Sequence, residues 1–131
     1  RMTGQAAYRS RAELELRTVA GFSDWNPTHF LDVAEMTMAV ALGYDWLYSD
    51  LSPAVRAELR EAMVKKGLQP SLDDRYNSWL AATHNWNQVC NAGMAFGALA
   101  IHEDQPELAS SLVNRAVTTV VKAMGDYAPD G

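Results

Sequence analysis

Residues 83–93 read THNWNQVCNAG, which sets a histidine, a tryptophan and three asparagines around the start of an apolar stretch. Amides gathered at the first turn of a helix have two uses. They cap the helix and bond to neighbouring loop backbone, or they offer hydrogen bonds to a ligand outside the protein. The first turn also carries unpaired N–H groups and the positive end of the helix dipole, which suit a carboxylate. On a helix beginning near Trp86, Asn87 and Asn91 lie four apart on one face, with Gln88 beside them. Asn85 falls at the cap position with Gln88 three residues on, in the capping-box place, and His84 is then a loop residue. Spacing alone favours the capping use. The other use is a polar cleft in which uncharged amides bind a carboxylate or a sugar hydroxyl while Trp79 or Trp86 stacks on a sugar ring. Trp86 also shares helical spacing with Val89, Cys90 and Gly93, which is the pattern of a core residue.

The remaining chemistry-bearing residues carry less. His29 and Asp32 are three apart, with Glu35 and Met36 beyond, but a metal site would need two more partners, so no metal and no cofactor is expected. His102 falls at a helix C-terminus, where the dipole favours an imidazolium. Tyr44-Asp45-Trp46 reads as the aromatic, packed end of a buried helix, with Asp45 bonded to nearby backbone or to a tryptophan N–H. The lone cysteine, Cys90, excludes an internal disulfide and sits among small and apolar residues, the setting of an inert buried thiol. No Ser-His-Asp order, phosphate-binding loop or Gly-rich dinucleotide fingerprint is present.

The elements that must position these residues are all helical. The patterns predict helices over roughly 4–21, 27–48, 53–66, 86–101 and 105–125. Leu14 and Leu16 alternate with charges as a strand would, yet Ala12, Leu16, Val19 and Ala20 share a helical face. Asn26-Pro27 and Ser52-Pro53 read as N-caps followed by proline at the first helical position, and Asp104 with Glu107 reads as a capping box. Gly67 and Pro70 are expected to end the third helix. The second helix is apolar on every side across Met36–Tyr44, and the fourth nearly so, as in helices buried between others. The order is surface, buried, surface, buried, surface, which suits helical hairpins in two layers, as in α-solenoids and α/α toroids. Asp24-Trp25-Asn26 and Asn85-Trp86-Asn87 form a faint internal echo ahead of the two apolar helices.

Composition bounds the class. With 131 residues, 48% apolar and 21% charged, the chain can fill a core and suits one domain or part of a larger one. A net charge of −5 argues against nucleic-acid binding, so any anion site must be built locally. No stretch resembles a signal peptide, and Met36–Tyr44 is too short to span a bilayer, so no membrane partner is expected. The abrupt start at Arg1 and the Pro129-Asp130-Gly131 ending read as a piece of a longer protein.

Four segments carry a family resemblance: HFLDVAE (29–35), GYDWLY (43–48), NWNQVCNAG (85–93) and YAPDG (127–131). Together they resemble the N-terminal helical domain of heparinase II/III-like proteins, a family of polysaccharide lyases and their relatives. The likeness covers most of the chain from about Gly21, and the asparagine–tryptophan stretch is its most specific part. It implies an all-α fold forming part of an incomplete (α/α) toroid over residues 1–131, followed by a β-sandwich domain that is absent here. It implies β-elimination on an acidic polysaccharide or oligosaccharide containing uronic acid, and a periplasmic or secreted location. A uronate C5 proton is weakly acidic because its removal places more charge beside a carboxylate. The enzyme therefore neutralises that carboxylate with hydrogen-bond donors, and a tyrosine or histidine takes the proton. No metal is strictly required.

By this resemblance the carboxylate-neutralising residue is Asn85, or its neighbour His84 if the register shifts by one. Asn87 and Asn91 match the family pattern as substrate-binding residues or as structural ones, with Gln88 and Trp79 beside them. The family's catalytic tyrosine follows the Pro-Asp-Gly turn, beyond Gly131, and Tyr127 precedes that turn and does not match. Residues 1–131 are thus expected to hold the carboxylate-binding half of a site and to be inactive alone. Two other functions compete. A glycoside hydrolase needs two carboxylates flanking the bond, for which Asp24, Asp73 and Asp74 are loop candidates. A non-catalytic helical module would bind sugar or protein without chemistry.

Overall fold

A computed structural model describes residues 5–125. The YAPDG segment (127–131) lies outside the described residues. The fold is all-α: α1 (Ala6–Ala20), α2 (Phe30–Leu47), α3 (Pro53–Ala62), α4 (Asn85–Ala100) and α5 (Pro106–Met124), with no strand among the described residues. In α1, Leu16 and Ala20 point inward and Leu14 outward, which settles the strand-like alternation in favour of a helix.

Helix starts follow the proline signals only in part. Ser52 caps α3 as expected, its Oγ accepting the Val55 N–H at 3.2 Å. Asn26 does not cap α2. Its φ of 57° is left-handed, its N–H bonds Asp24 Oδ1 at 2.7 Å, and its carbonyl accepts from the His29 N–H at 2.9 Å. Pro27 therefore sits inside a turn, and α2 begins three residues later, at Phe30. Proline's fixed φ serves the second position of a turn as well as the first of a helix, so the sequence signal was ambiguous. The capping box at Asp104 is absent as well: Gln105 precedes α5, and Asp104 pairs with Arg60 at 3.1 Å. Nor does the third helix stop at Gly67. After Ala62 the chain continues as a π-helical segment, Met63–Leu68, and a 3-10 turn, Gln69–Leu72. Gly67 permits this, because a Cβ there would lie 2.4 Å from Thr37 Oγ1.

The helices form two layers. The inner layer is α2 and α4, which make the most extensive contact in the molecule. Gly93 presses on the Ala34 backbone, and Gly97 on Thr37 and Leu68. At one end the His29 and Trp86 rings meet; at the other a groove is shared by Ala41, Leu42 and Asp45 of α2 and Phe96, Leu99 and Ala100 of α4. The two helices therefore run parallel, side by side. In an up-down bundle two such helices face each other across a diagonal; here glycine brings their backbones together. The outer layer is α1, α3 with its π-helical extension, and α5. Arg17–Glu58 (3.0 Å) joins α1 to α3, and Lys66 Nζ donates to the Ala20 and Phe22 carbonyls at the end of α1.

The apolar helices are not covered on every side, as their composition suggested. Glu35, Ala39 and Trp46 of α2 and Ala92, Phe96 and Leu99 of α4 are exposed, because the outer layer covers only one face of the inner pair. Trp46, expected to pack, is 62% exposed, while Tyr44 is buried, and that burial pushes its phenol up from its ordinary value. Asp45 is exposed rather than tied down. The tryptophan echo is also redrawn. Trp25 and Trp79, not Trp86, are the pair of fully buried rings lying just ahead of an inner helix.

Cys90 lies wholly inside the inner layer, and burial pushes its thiol up to about 12. Desolvation disfavours the thiolate, which is the reactive form. The folded protein at pH near 8 is expected to leave a disulfide thiol reagent unconsumed, with one thiol released on adding denaturant. Rapid labelling of the native protein would contradict this packing.

Candidate functional site

Because α2 and α4 are parallel neighbours, their N-termini open at the same end, and this end collects the polar residues. His84, not Asn85, is the N-cap of α4: it has extended backbone, and its Nδ1 accepts the Trp86 N–H at 3.4 Å. Asn85 is the first helical residue, and the predicted capping box with Gln88 does not form; Gln88 is half-buried along the helix. The shift has a chemical consequence. In a neutral imidazole whose Nδ1 accepts a hydrogen bond, the proton sits on Nε2. His84, which is exposed, thereby offers an N–H donor beside the exposed amide of Asn85. The two donors stand at the positive end of the α4 dipole, and no other described residue bonds the Asn85 side chain.

The other two asparagines face away. At about 100° per residue, Asn87 and Asn91 lie roughly 160° and 120° around the helix from Asn85, whose exposed stripe continues through Ala92, Phe96 and Leu99. Both are buried. Asn87 Nδ2 donates to the carbonyls of Trp79 (3.2 Å) and Leu80 (3.3 Å). Asn91 Nδ2 donates to the Asn87 carbonyl at 2.8 Å, and its Oδ1 accepts from Thr119 at 2.9 Å. These bonds pin the 3-10 turn Ser78–Ala81 against α4 and tie α4 to α5. Asn87 and Asn91, expected as substrate-binding or structural residues, are thus buried and bonded within the scaffold.

Trp79 is turned inward in the same way. Its ring is 2% exposed and stacks on Phe30 with centroids 5.2 Å apart, so it presents no face to a sugar. Arg115 covers it at 5.6 Å and donates to the Ser71 carbonyl and hydroxyl at 2.8 and 2.7 Å. The aromatic residue at the mouth is Trp86, half-buried, whose ring meets His29 edge-on with centroids 5.1 Å apart.

That contact brings in His29 and Asp32, which spacing had suggested only as part of a metal site. His29 Nδ1 lies 3.1 Å from Asp32 Oδ1, while Asp32 Oδ2 accepts from Asn26 Nδ2 at 2.8 Å. Thr28 in turn donates to Asn26 Oδ1 at 2.9 Å. The Asn26 amide, and then His29, hold the Asp32 carboxyl below its ordinary range, so it stays ionised at neutral pH. Among the described residues no three His, Cys, Asp or Glu side chains gather as metal ligands. The mouth thus joins His84, Asn85 and Trp86 from the start of α4 to His29 and Asp32 from the start of α2. The His29-x-x-Asp32 spacing was legible beforehand, but nothing local placed it beside Trp86.

The loop carboxylates lie apart from one another in role. Asp73 binds Arg75 at 2.5 Å, which holds its carboxyl at about 2, and Asp24 and Asp74 serve the Asn26 and Asn77 amide N–H groups. A proton-donating acid needs a carboxyl raised toward neutrality, so Asp73 is unsuited to that work. Among the described residues no helix is long and apolar enough to cross a membrane. Comparison with protein-family models and with curated proteins finds no match.

Proposed function

We propose that the mouth of the inner helix pair binds the carboxylate of a uronic-acid residue in an acidic polysaccharide, as the recognition half of a β-elimination site of the heparinase II/III-like kind. The observation that carries this reading is the pair of adjacent, exposed donors at the start of α4: the Asn85 amide, which no other described residue bonds, and the Nε2–H of His84. Neutral donors suit a carboxylate that must accept further charge when the C5 proton leaves, since they strengthen their bonds as charge grows. The two-layer arrangement, with parallel inner helices side by side, supports the toroid architecture that the resemblance implies. The local dipole supplies attraction that a chain of net charge −5 does not. The chain alone is expected to bind without releasing unsaturated products, because the leaving oxygen also needs a proton donor, which the resemblance places outside these residues.

Titration calorimetry with tetrasaccharides of mannuronate, guluronate and heparan type, against a neutral tetrasaccharide of the same length, tests this. Binding of at least one uronate ligand and none of the neutral one is expected. Asn85→Ala removes a hydrogen bond to a charged group and should weaken binding roughly tenfold to a hundredfold. Its helical circular dichroism should not change, since the side chain is exposed. Equal affinity for the neutral sugar, or an unaffected Asn85→Ala protein, would overturn the reading.

A further inference from the structure

Asp32, ionised, can only accept a hydrogen bond, so the His29–Asp32 contact at 3.1 Å places the His29 proton on Nδ1. In the neutral ring this leaves the lone pair on Nε2, the reverse of the neutral tautomer that capping imposes on His84. The side chain of His29 is about half exposed, at 52%, and its ring leans on Trp86, the residue that follows Asn85. One imidazole at the mouth is set as a donor and the other as an acceptor. Asp32 is itself braced by Asn26, which Thr28 fixes, so the acceptor ring is oriented by a chain of bonds rather than by packing alone. An oriented imidazole with a carboxylate on Nδ1 is a general-base arrangement.

We infer that His29 is the proton acceptor for the uronate C5–H, with Asp32 as its positioning residue, acting on the carboxylate held by Asn85 and His84. This rests on the carboxylate-binding reading and adds the proton-transfer group that the resemblance assigned to residues beyond Gly131. In the step, the C5–H bond breaks and its electron pair moves into the carboxylate, forming an enolate dianion bonded to the Asn85 and His84 donors. The proton passes to His29 Nε2, leaving an imidazolium whose Nδ1–H stays on Asp32. In complete elimination the pair then forms the C4–C5 double bond as the C4–O bond breaks, and the leaving oxygen takes a proton from an acid. Without that acid the half-exposed imidazolium trades its Nε2 proton with solvent and delivers the solvent-derived one to C5. The chain therefore catalyses exchange rather than cleavage.

The test is proton NMR of the same uronate tetrasaccharides incubated with the chain in heavy water. Loss of the H5 signal is expected, with no unsaturated product. His29→Gln should slow the exchange roughly a hundredfold or more, with affinity within about twofold of wild type, as expected for a group that abstracts a proton rather than binds. Asp32→Asn should slow exchange as well and shift the His29 nitrogen resonances away from the Nδ1–H tautomer, which a purely structural role would not do. A wild-type protein that binds uronate but exchanges nothing, or exchange that survives His29→Gln, overturns this inference and leaves the Asn85 reading standing. Absence of uronate binding overturns both.

Discussion

Gly93→Leu is expected to abolish folding, and Gly93→Ala to lower the melting temperature by about 8 °C or more. A Cβ at Gly93 would lie 2.4 Å from the Ala34 carbonyl oxygen, 2.7 Å from its Cα and 2.8 Å from its carbonyl carbon. All three atoms are backbone of the neighbouring inner helix, so no rotamer change relieves the clash. Alanine brings about 1 kcal/mol of helix propensity. Forcing a methyl into a closed seam costs about 3 kcal/mol or more, so the net loss is about 2 kcal/mol, or several degrees for a domain of this size. Gly43 is the control. Its Cβ would meet Leu16 Cδ2 at 2.6 Å and Cδ1 at 2.8 Å, the free end of a side chain that can rotate. Gly43→Ala should therefore melt within a few degrees of wild type. Thermal unfolding followed by circular dichroism reads both, and a Gly93→Ala protein as stable as wild type would show that α2 and α4 do not pack as a glycine seam. The same substitution should slow the H5 exchange, because separating the helices pulls His29 from Trp86.

Trp79→Ala is the second large effect, expected to cost about 3–5 kcal/mol of stability. For a domain this is a substantial part of a net stability of about 5–15 kcal/mol. The ring is 2% exposed, stacked on Phe30 and covered by Arg115, so its removal opens a cavity where the 3-10 turn meets α4 and α5. Trp79→Phe keeps an aromatic face against Phe30 and gives up an Nε1–H that has no partner among the described residues, so it should cost far less. The pair separates two roles. A sugar-stacking tryptophan would lose affinity on substitution and leave the denaturant midpoint in place. A core tryptophan moves the midpoint, and folded Trp79→Phe binds uronate as wild type does.

Much of this protein was legible in its sequence, for a local reason. Helical periodicity depends on residues three and four apart, and all five helices were found near their predicted bounds. The split of the amides was also implicit, since Asn85 stands on a different face from Asn87 and Asn91 whatever surrounds the helix. Which face looks outward was not. That depended on Ala34 receiving Gly93, on Thr119 reaching Asn91, and on the Ser78–Ala81 turn folding over Asn87, all contacts between residues far apart in the chain. His84 as the cap was hidden because an amide is the commoner cap, and whether an imidazole accepts a backbone N–H depends on how the preceding loop arrives. His29 was hidden because its partner ring, Trp86, belongs to another helix. A glycine within a helix reads along the sequence as a weak point, and only the neighbour that presses on it reveals a seam. Periodicity is a property of the backbone's own short-range geometry, whereas exposure and the meeting of side chains arise only when distant segments pack.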